Sequence, residues 1–159
     1  MVLIHASAIA IDGRAFIFLG PSETGKTTIA RMFVEKARVQ WISDDAVYMF
    51  QESGQWYVTN ADSKAFIRPT LEQQRQRFGI YSLHKILRLY RSTEPRLEVV
   101  DDVTTCRYLT DAYFEINFHT PLTIQNKQED FGVLAAIART LKVEMFYFDL
   151  SDRTRAILG

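Results

Sequence analysis

The run Gly20-Pro21-Ser22-Glu23-Thr24-Gly25-Lys26-Thr27 constrains this chain more than any other feature, because it has the spacing G-x-x-x-x-G-K-[ST] of a phosphate-binding loop. Such a loop needs a strand before it and a helix after it. Phe16-Ile17-Phe18-Leu19 reads as a short buried strand. After Lys26, the apolar residues Ile29, Ala30, Phe33, Val34 and Ala37 recur with helical period. Backbone N–H groups of the loop and the helix N-terminus can then face phosphate oxygens, Lys26 can neutralise the terminal phosphates, and the Thr27 hydroxyl can hold a divalent metal. A glycine-rich turn ahead of a helix would have no need of Lys followed by Thr at this register. A nucleotide is therefore the expected ligand, bound by Gly20, Pro21, Ser22, Glu23, Thr24, Gly25, Lys26, Thr27 and Thr28.

A chain of 159 residues that is 47% hydrophobic suits one well-packed domain, expected over residues 1–159. Nineteen basic and nineteen acidic residues cancel without any block of like charge, so neither nucleic acid nor a membrane surface is an expected partner. Cys106, the single cysteine, has no intramolecular disulfide partner, and no Cys/His cluster has zinc spacing. With no charged leader and no long apolar run, a soluble protein in a reducing cytoplasm is expected.

Alternation and turn chemistry suggest a mixed sheet. Ala8 to Ile11 and Phe16 to Leu19 flank Asp12-Gly13, a pair that favours a tight hairpin, so the strand entering the loop should run antiparallel to its predecessor. Strands of a doubly wound nucleotide fold are instead parallel and joined through helices. Val39 to Ile42 is a buried-strand candidate ending at Ser43-Asp44-Asp45, and Val47 to Phe50 with Trp56 to Val58 forms a hairpin about Ser53-Gly54. Residues 60 to 80 read as a loop holding one short helix, with Pro69 as a breaker. Lys85 to Tyr90 fits either a strand or a helix, of which the strand is favoured, and Ser92-Thr93-Glu94-Pro95 ends either one. Asp101 and Asp102 are placed to cap a helix over about 102 to 114 with Val103, Cys106 and Leu109 on one face. Asn126 opens a further helix containing Phe131, Leu134, Ala135, Ala138 and Leu141, and Val143 to Leu150 is the closing strand. His84 and His119 belong to no constellation and read as structural, and none of Arg68, Arg75, Arg77, Arg88 and Arg91 is singled out as a phosphate contact.

Three elements line up in order: His5 at the start of the first strand, the loop at 20 to 27, and the acidic pair Asp44-Asp45 at a strand end. Residues 4 to 8 (Ile-His-Ala-Ser-Ala), 18 to 28 and 42 to 45 (Ile-Ser-Asp-Asp) together resemble the catalytic domain of HPr kinase/phosphorylase. They are equally similar to the ATP-dependent phosphoenolpyruvate carboxykinases, which share that nucleotide-binding core. The resemblance implies an α/β fold, α+β-like in its mixed sheet: an HPr kinase/PEP carboxykinase-like P-loop domain with flanking helices. It implies ATP and magnesium, with Lys26 on phosphates, Thr27 on the metal, and His5, Asp44 and Asp45 at the chemistry. One member of the acidic pair would be a metal ligand, for which Asp45 is a candidate beside Thr27, and one would accept the proton of an attacking serine hydroxyl. Which does which stays open.

Departures from the pattern shape the expectation. Glu23 stands where both families usually have glycine, and the glycine-rich second signature of the HPr kinases has no counterpart. The chain begins four residues before His5, so the N-terminal domain of the kinases is not expected, and HPr itself is a doubtful substrate. The expected activity is transfer of a phosphoryl group from ATP to a protein serine or a small nucleophile, which needs positioning and charge neutralisation more than covalent chemistry. A regulatory module that binds ATP or ADP without turnover is the alternative. A carboxykinase-type enzyme lacks an identifiable Lys/Arg set for an organic acid. A homo-oligomer stays open.

Overall fold

The structure, a computed structural model, describes residues 1–34, 38–61, 68–118, 120 and 122–158. Strands β2 (Ser7–Ile11) and β3 (Arg14–Leu19) pair antiparallel across Asp12 and Gly13. Both turn residues have positive φ, 48° and 78°, as a two-residue I′ hairpin requires. A separate strand, β1 (Val2–His5), runs into β2 through Ala6, so His5 closes the first strand instead of starting it. Helix α1 (Lys26–Val34) follows β3 and leads to β4 (Val39–Ser43). β5 (Ala46–Glu52) and β6 (Gln55–Asn60) form the second hairpin, and the short α2 (Leu71–Arg77) precedes β7 (Ile80–Arg91). β8 (Arg96–Val99), α3 (Asp102–Asn117), α4 (Ile124–Thr140), β9 (Val143–Phe148) and α5 (Asp152–Leu158) complete the order.

These strands make one curled mixed sheet in the order β1-β5-β6-β7-β3-β2-β4. β7 is its seam. Its first residues pair antiparallel with β6, its last six pair parallel with β9, and along its other edge it pairs parallel with β3. The central strands alternate between two apolar layers with period two. Ala15, Ile17 and Leu19 of β3 join Ile86 of β7 and Val143 of β9 against Tyr108, Leu109 and Tyr113 of α3 and Leu134 and Ile137 of α4. Phe16 and Phe18 of β3, with Leu87, Leu89, Phe146 and Phe148, face the other way onto Ile29 and Phe33 of α1 and Leu158 of α5. Each such large side chain contributes roughly 1.5–3 kcal/mol by leaving water.

Several boundaries differ from the sequence reading. β4 is an edge strand with Gln40 and Trp41 exposed, so only Ile42 and Ser43 are buried there. Val103 of α3 points to solvent, and the buried stripe runs through Thr105, Tyr108, Leu109, Ala112 and Tyr113. α4 starts two residues before Asn126, because the Thr123 hydroxyl accepts the Asn126 N–H and caps the helix. Phe131 of that helix is half-exposed. β9 stops at Phe148, and a fifth helix, not a strand, ends the fold. The four-residue β8 carries no readable alternation. Asp101 caps α3 as expected, accepting the Thr104 N–H at 2.7 Å. His84 packs edge-on to Phe16, with centroids 5.2 Å apart. Ala37, His119 and residues 62–67 of the loop lie outside the described residues.

Candidate functional site

The loop between β3 and α1 closes on its own backbone. The Thr24 hydroxyl and N–H both donate to Pro21 O, at 2.6 and 3.2 Å. A Cβ on Gly20 would lie 3.0 Å from the Thr24 side chain, tighter than an ordinary contact, so glycine lets Thr24 pack closely there. Gly25 has φ 102°, a conformation open to glycine, and the Phe148 ring would sit 3.5 Å from any Cβ placed on it. Lys26, only 7% exposed, curls back and donates from Nζ to Gly20 O at 2.6 Å and to Pro21 O at 3.0 Å. Its ammonium pKa lies below the ordinary lysine value. Burial is the main cause and nearby Arg88 adds to it, while Glu115, Asp45 and Asp44 oppose the shift.

The acid pair reaches this loop because the β4–β5 turn is pinned to the β1–β2 junction. Ser7 Oγ donates to Asp44 O at 2.6 Å, the Ala6 N–H donates to Asp45 O at 3.0 Å, and Ser43 Oγ donates to Ala46 O at 2.6 Å. Held so, the two carboxylates diverge. Asp44 Oδ1 accepts from Thr27 Oγ1 at 2.5 Å. Asp45 Oδ1 lies 3.3 Å from His5 Nδ1, and His5 Nε2 lies 3.7 Å from Glu115 Oε2 on α3. Asp45 is solvent-facing at 61% exposure, whereas His5 is largely buried. Thr27 thus meets Asp44, and Asp45 stands with His5.

A cleft of about 220 Å3 opens over Glu23, Gly25, Lys26, Thr27, Thr28 and Arg91. Ser22 is exposed at the loop tip and Thr28 at the cleft. Of the five arginines that the sequence leaves undistinguished, two come to the site. Arg88 sits on the α3 face of β7, its guanidinium 4.9 Å from the Tyr108 ring centroid, and its charge reaches Lys26. Arg91 sits on the opposite face of β7, beside Gly25. Arg88 leaves a trace in the sequence, a cation inside the apolar run Ile86 to Leu89. Glu115 leaves none, since nothing local distinguishes it from any exposed helical glutamate. Arg68 and Arg75 pair elsewhere, with Asp130 and Glu52.

Among the described residues, no three His, Cys, Asp or Glu side chains converge as a metal centre. The Thr27–Asp44 pair is nevertheless a hydroxyl beside a carboxylate. Such hard oxygen donors fit magnesium, which is held by one or two carboxylates together with waters and substrate phosphates.

A strand leading into a loop wrapped about a lysine, then a helix, with an acid pair delivered from a neighbouring turn, places this site on an α/β domain with a mixed sheet. The fold is HPr kinase-like: the chain is similar to the HPr(Ser) kinase/phosphatase from Coxiella burnetii with a TM-score of 0.52 and 12% sequence identity, over 98% of this chain and 91% of that chain. No protein-family model and no curated protein matches the sequence. No helix among the described residues is long and apolar enough to cross a membrane.

Proposed function

We propose that this chain is an ATP-binding, magnesium-dependent phosphotransferase resembling HPr serine kinase, acting from one domain in the cytoplasm on a protein serine or a small nucleophile. One observation carries the reading: Thr27 meets Asp44, and Asp45 meets His5, within one site beside Lys26. Backbone groups and side chains from Gly20 to Thr28 form the cradle for the nucleotide. Thr27 and Asp44 would hold magnesium, which, when bound, draws charge from the β- and γ-phosphate oxygens. In this proposal Asp44 takes the metal-ligand role for which Asp45 was the sequence candidate, supported by its hydrogen bond from Thr27.

Asp45 is left for the proton. It is solvent-facing, so an acceptor hydroxyl can approach it, and the His5 ring fixes its orientation, with Glu115 on the far side of that ring. As the new bond between acceptor oxygen and γ-phosphorus forms, the bond to the β,γ-bridging oxygen breaks. The hydroxyl proton passes to Asp45, and ADP leaves with the electron pair. Lys26 neutralises the growing charge once a polyphosphate displaces the two loop carbonyls that now hold it.

The alternative is a module that binds ATP or ADP without turnover. It is favoured by Glu23, a carboxylate inside the cradle, and by a lysine engaged with its own loop. Calorimetry with magnesium-ATP, run beside an ADP-release assay with water as acceptor, separates the two. The kinase reading expects binding by both wild type and Asp45→Asn, with turnover in the variant reduced by roughly a hundredfold or more. Binding without turnover in wild type, or turnover indifferent to Asp45→Asn, favours the module. Absence of binding overturns both.

A further inference from the structure

Several arginines of this chain are matched to acids. Arg68 meets Asp130 at 2.6 Å, Arg75 meets Glu52 at 2.6 Å, and Arg96 meets Glu98 at 2.7 Å. Arg88 is different. It is half-buried, no carboxylate among the described residues pairs with it, and its Nε–H is buried without a hydrogen-bond acceptor. A guanidinium withdrawn from water in this way has lost hydration with nothing to offset the loss. An anion beside it would supply the missing acceptor.

The surroundings of Arg88 point to one kind of anion. Arg88 pairs with Leu19, the last residue of β3, so it stands beside the start of the loop, where Gly20 O holds Lys26 Nζ at 2.6 Å. On the α3 face its guanidinium lies 4.9 Å from the Tyr108 ring centroid. That ring is fixed in place, because Tyr108 is buried and its hydroxyl shares a hydrogen bond with Tyr90 at 3.0 Å. Arg107 approaches the same ring at 5.5 Å but is exposed. The charges of Glu115, Arg88, Asp45 and Asp44 all act on Lys26, which gathers the five groups around one space. Asp44 is engaged by Thr27, Asp45 and Glu115 flank His5, and Lys26 is held by its loop. Of the five, Arg88 alone has neither a hydrogen bond nor an ion pair among the described residues.

We infer that Arg88 is a further catalytic residue, whose guanidinium donates to the oxygens of the phosphoryl group as it passes from the nucleotide to the acceptor; the inference rests on the phosphotransferase reading above. In that step the bond from phosphorus to the β,γ-bridging oxygen breaks and its electron pair leaves with ADP. The acceptor oxygen bonds to phosphorus, and its proton goes to Asp45. Arg88 exchanges no proton. Its planar fork offers paired N–H donors to the oxygens over which the charge is spread midway. Stacking on a fixed ring sets the fork before the nucleotide arrives, so no reorganisation is needed at the moment of transfer. Lys26 comes to the same group from α1 and Arg88 from β7. Stacking on Tyr108 as a purely structural role would leave the buried Nε–H unexplained.

The test is calorimetry on the whole chain with magnesium-ADP, alone and with fluoroaluminate, which mimics the phosphoryl group in flight and binds tightly only where that state is stabilised. Wild type is expected to bind ADP more tightly once fluoroaluminate is added. Arg88→Met keeps an apolar stem on the Tyr108 ring and removes the charge. It should bind ADP alone within about twofold of wild type and lose roughly tenfold or more of the gain from fluoroaluminate. Arg88→Lys, which keeps the charge without the fork and is the milder change for folding, should lose several-fold. In the ADP-release assay with water as acceptor, kcat of Arg88→Met should fall by roughly a hundredfold or more with KM nearly unchanged. Thermal unfolding identifies the folded variants. The inference is overturned if a folded variant keeps the full gain from fluoroaluminate, if ADP alone weakens as much as the complex, or if neither variant folds, which would make the residue structural. It is also overturned if wild type binds ADP and gains nothing from fluoroaluminate; in all these cases nucleotide binding by the loop stands. If wild type does not bind ADP, the nucleotide reading itself falls, and this inference with it.

Discussion

Glu23 holds φ at 67° in the loop proposed above to present N–H groups to an anion. For a residue with a Cβ that conformation costs on the order of 1 kcal/mol, and on the proposed function its carboxylate would repel the phosphates. Glu23→Gly removes both penalties, but glycine's larger unfolded-state entropy returns about 0.5–1 kcal/mol. The expected outcome is an unfolding midpoint within a few degrees of wild type and magnesium-ATP bound several-fold more tightly by calorimetry; weaker binding would show that the carboxylate assists the ligand. Asp149 is a second residue with a directional consequence. Hydrogen bonds from Ser151 and Thr154 hold its pKa at about 2, against an ordinary 3.8. A depressed aspartate stabilises the fold fully above the unfolded value, and that contribution drains as pH falls through 3.8 toward about 2, because the unfolded chain takes up the proton first. Denaturant midpoints of wild type and Asp149→Asn should therefore differ most near pH 6 and converge as pH approaches about 2, and a gap that widened in acid would contradict the assignment. Lys26, Thr27 and the acid pair stand out in the amino-acid sequence by type and spacing. Their partners Glu115 and Arg88 do not, because a contact between distant parts of the chain leaves no spacing signature.

At the scale of elements, short-range chemistry governs what is legible in the sequence. The hairpins about Asp12-Gly13 and Ser53-Gly54 are legible because positive φ is required there, and all four of these residues adopt it. The cap of α4 lies three residues ahead of Asn126, at Thr123; both are good capping types and only geometry chooses between them. Thr123→Ala should cost about 1 kcal/mol in chemical denaturation, while Asn126→Ala should be near neutral; the reverse order would return the cap to Asn126. β8 escapes a reading from sequence because four residues pairing with β9 alone owe their strand conformation to that neighbour. The buried stripe of α3 avoids Val103, against expectation, because periodicity specifies a face only once the neighbouring layer is known.

Across the whole molecule, the seam is β7, which joins β6, β3 and β9 and so ties both apolar layers to one strand. We expect the chain to unfold as one cooperative unit. Trp56 is buried, with its Nε1 donating to Thr140 Oγ1 at 2.8 Å, whereas Trp41 lies on the exposed edge strand β4. Tryptophan fluorescence and far-ultraviolet circular dichroism should then report coincident denaturation curves, and separate midpoints would show two independent units. By itself, the amino-acid order determined the strand and helix around the glycine-containing loop at 20 to 27, both tight hairpins and the mixed character of the sheet, because each depends on residues a few positions apart. Only the tertiary structure decided that Asp44 meets Thr27 while Asp45 meets His5, that Glu115 stands behind that histidine, and that Arg88 and Arg91 come to the loop from opposite faces of β7. Those outcomes depend on how a curled sheet brings the β1–β2 junction, the β4–β5 turn and the ends of β7 and β9 around one loop, and strand order of that kind is settled by packing across the entire chain.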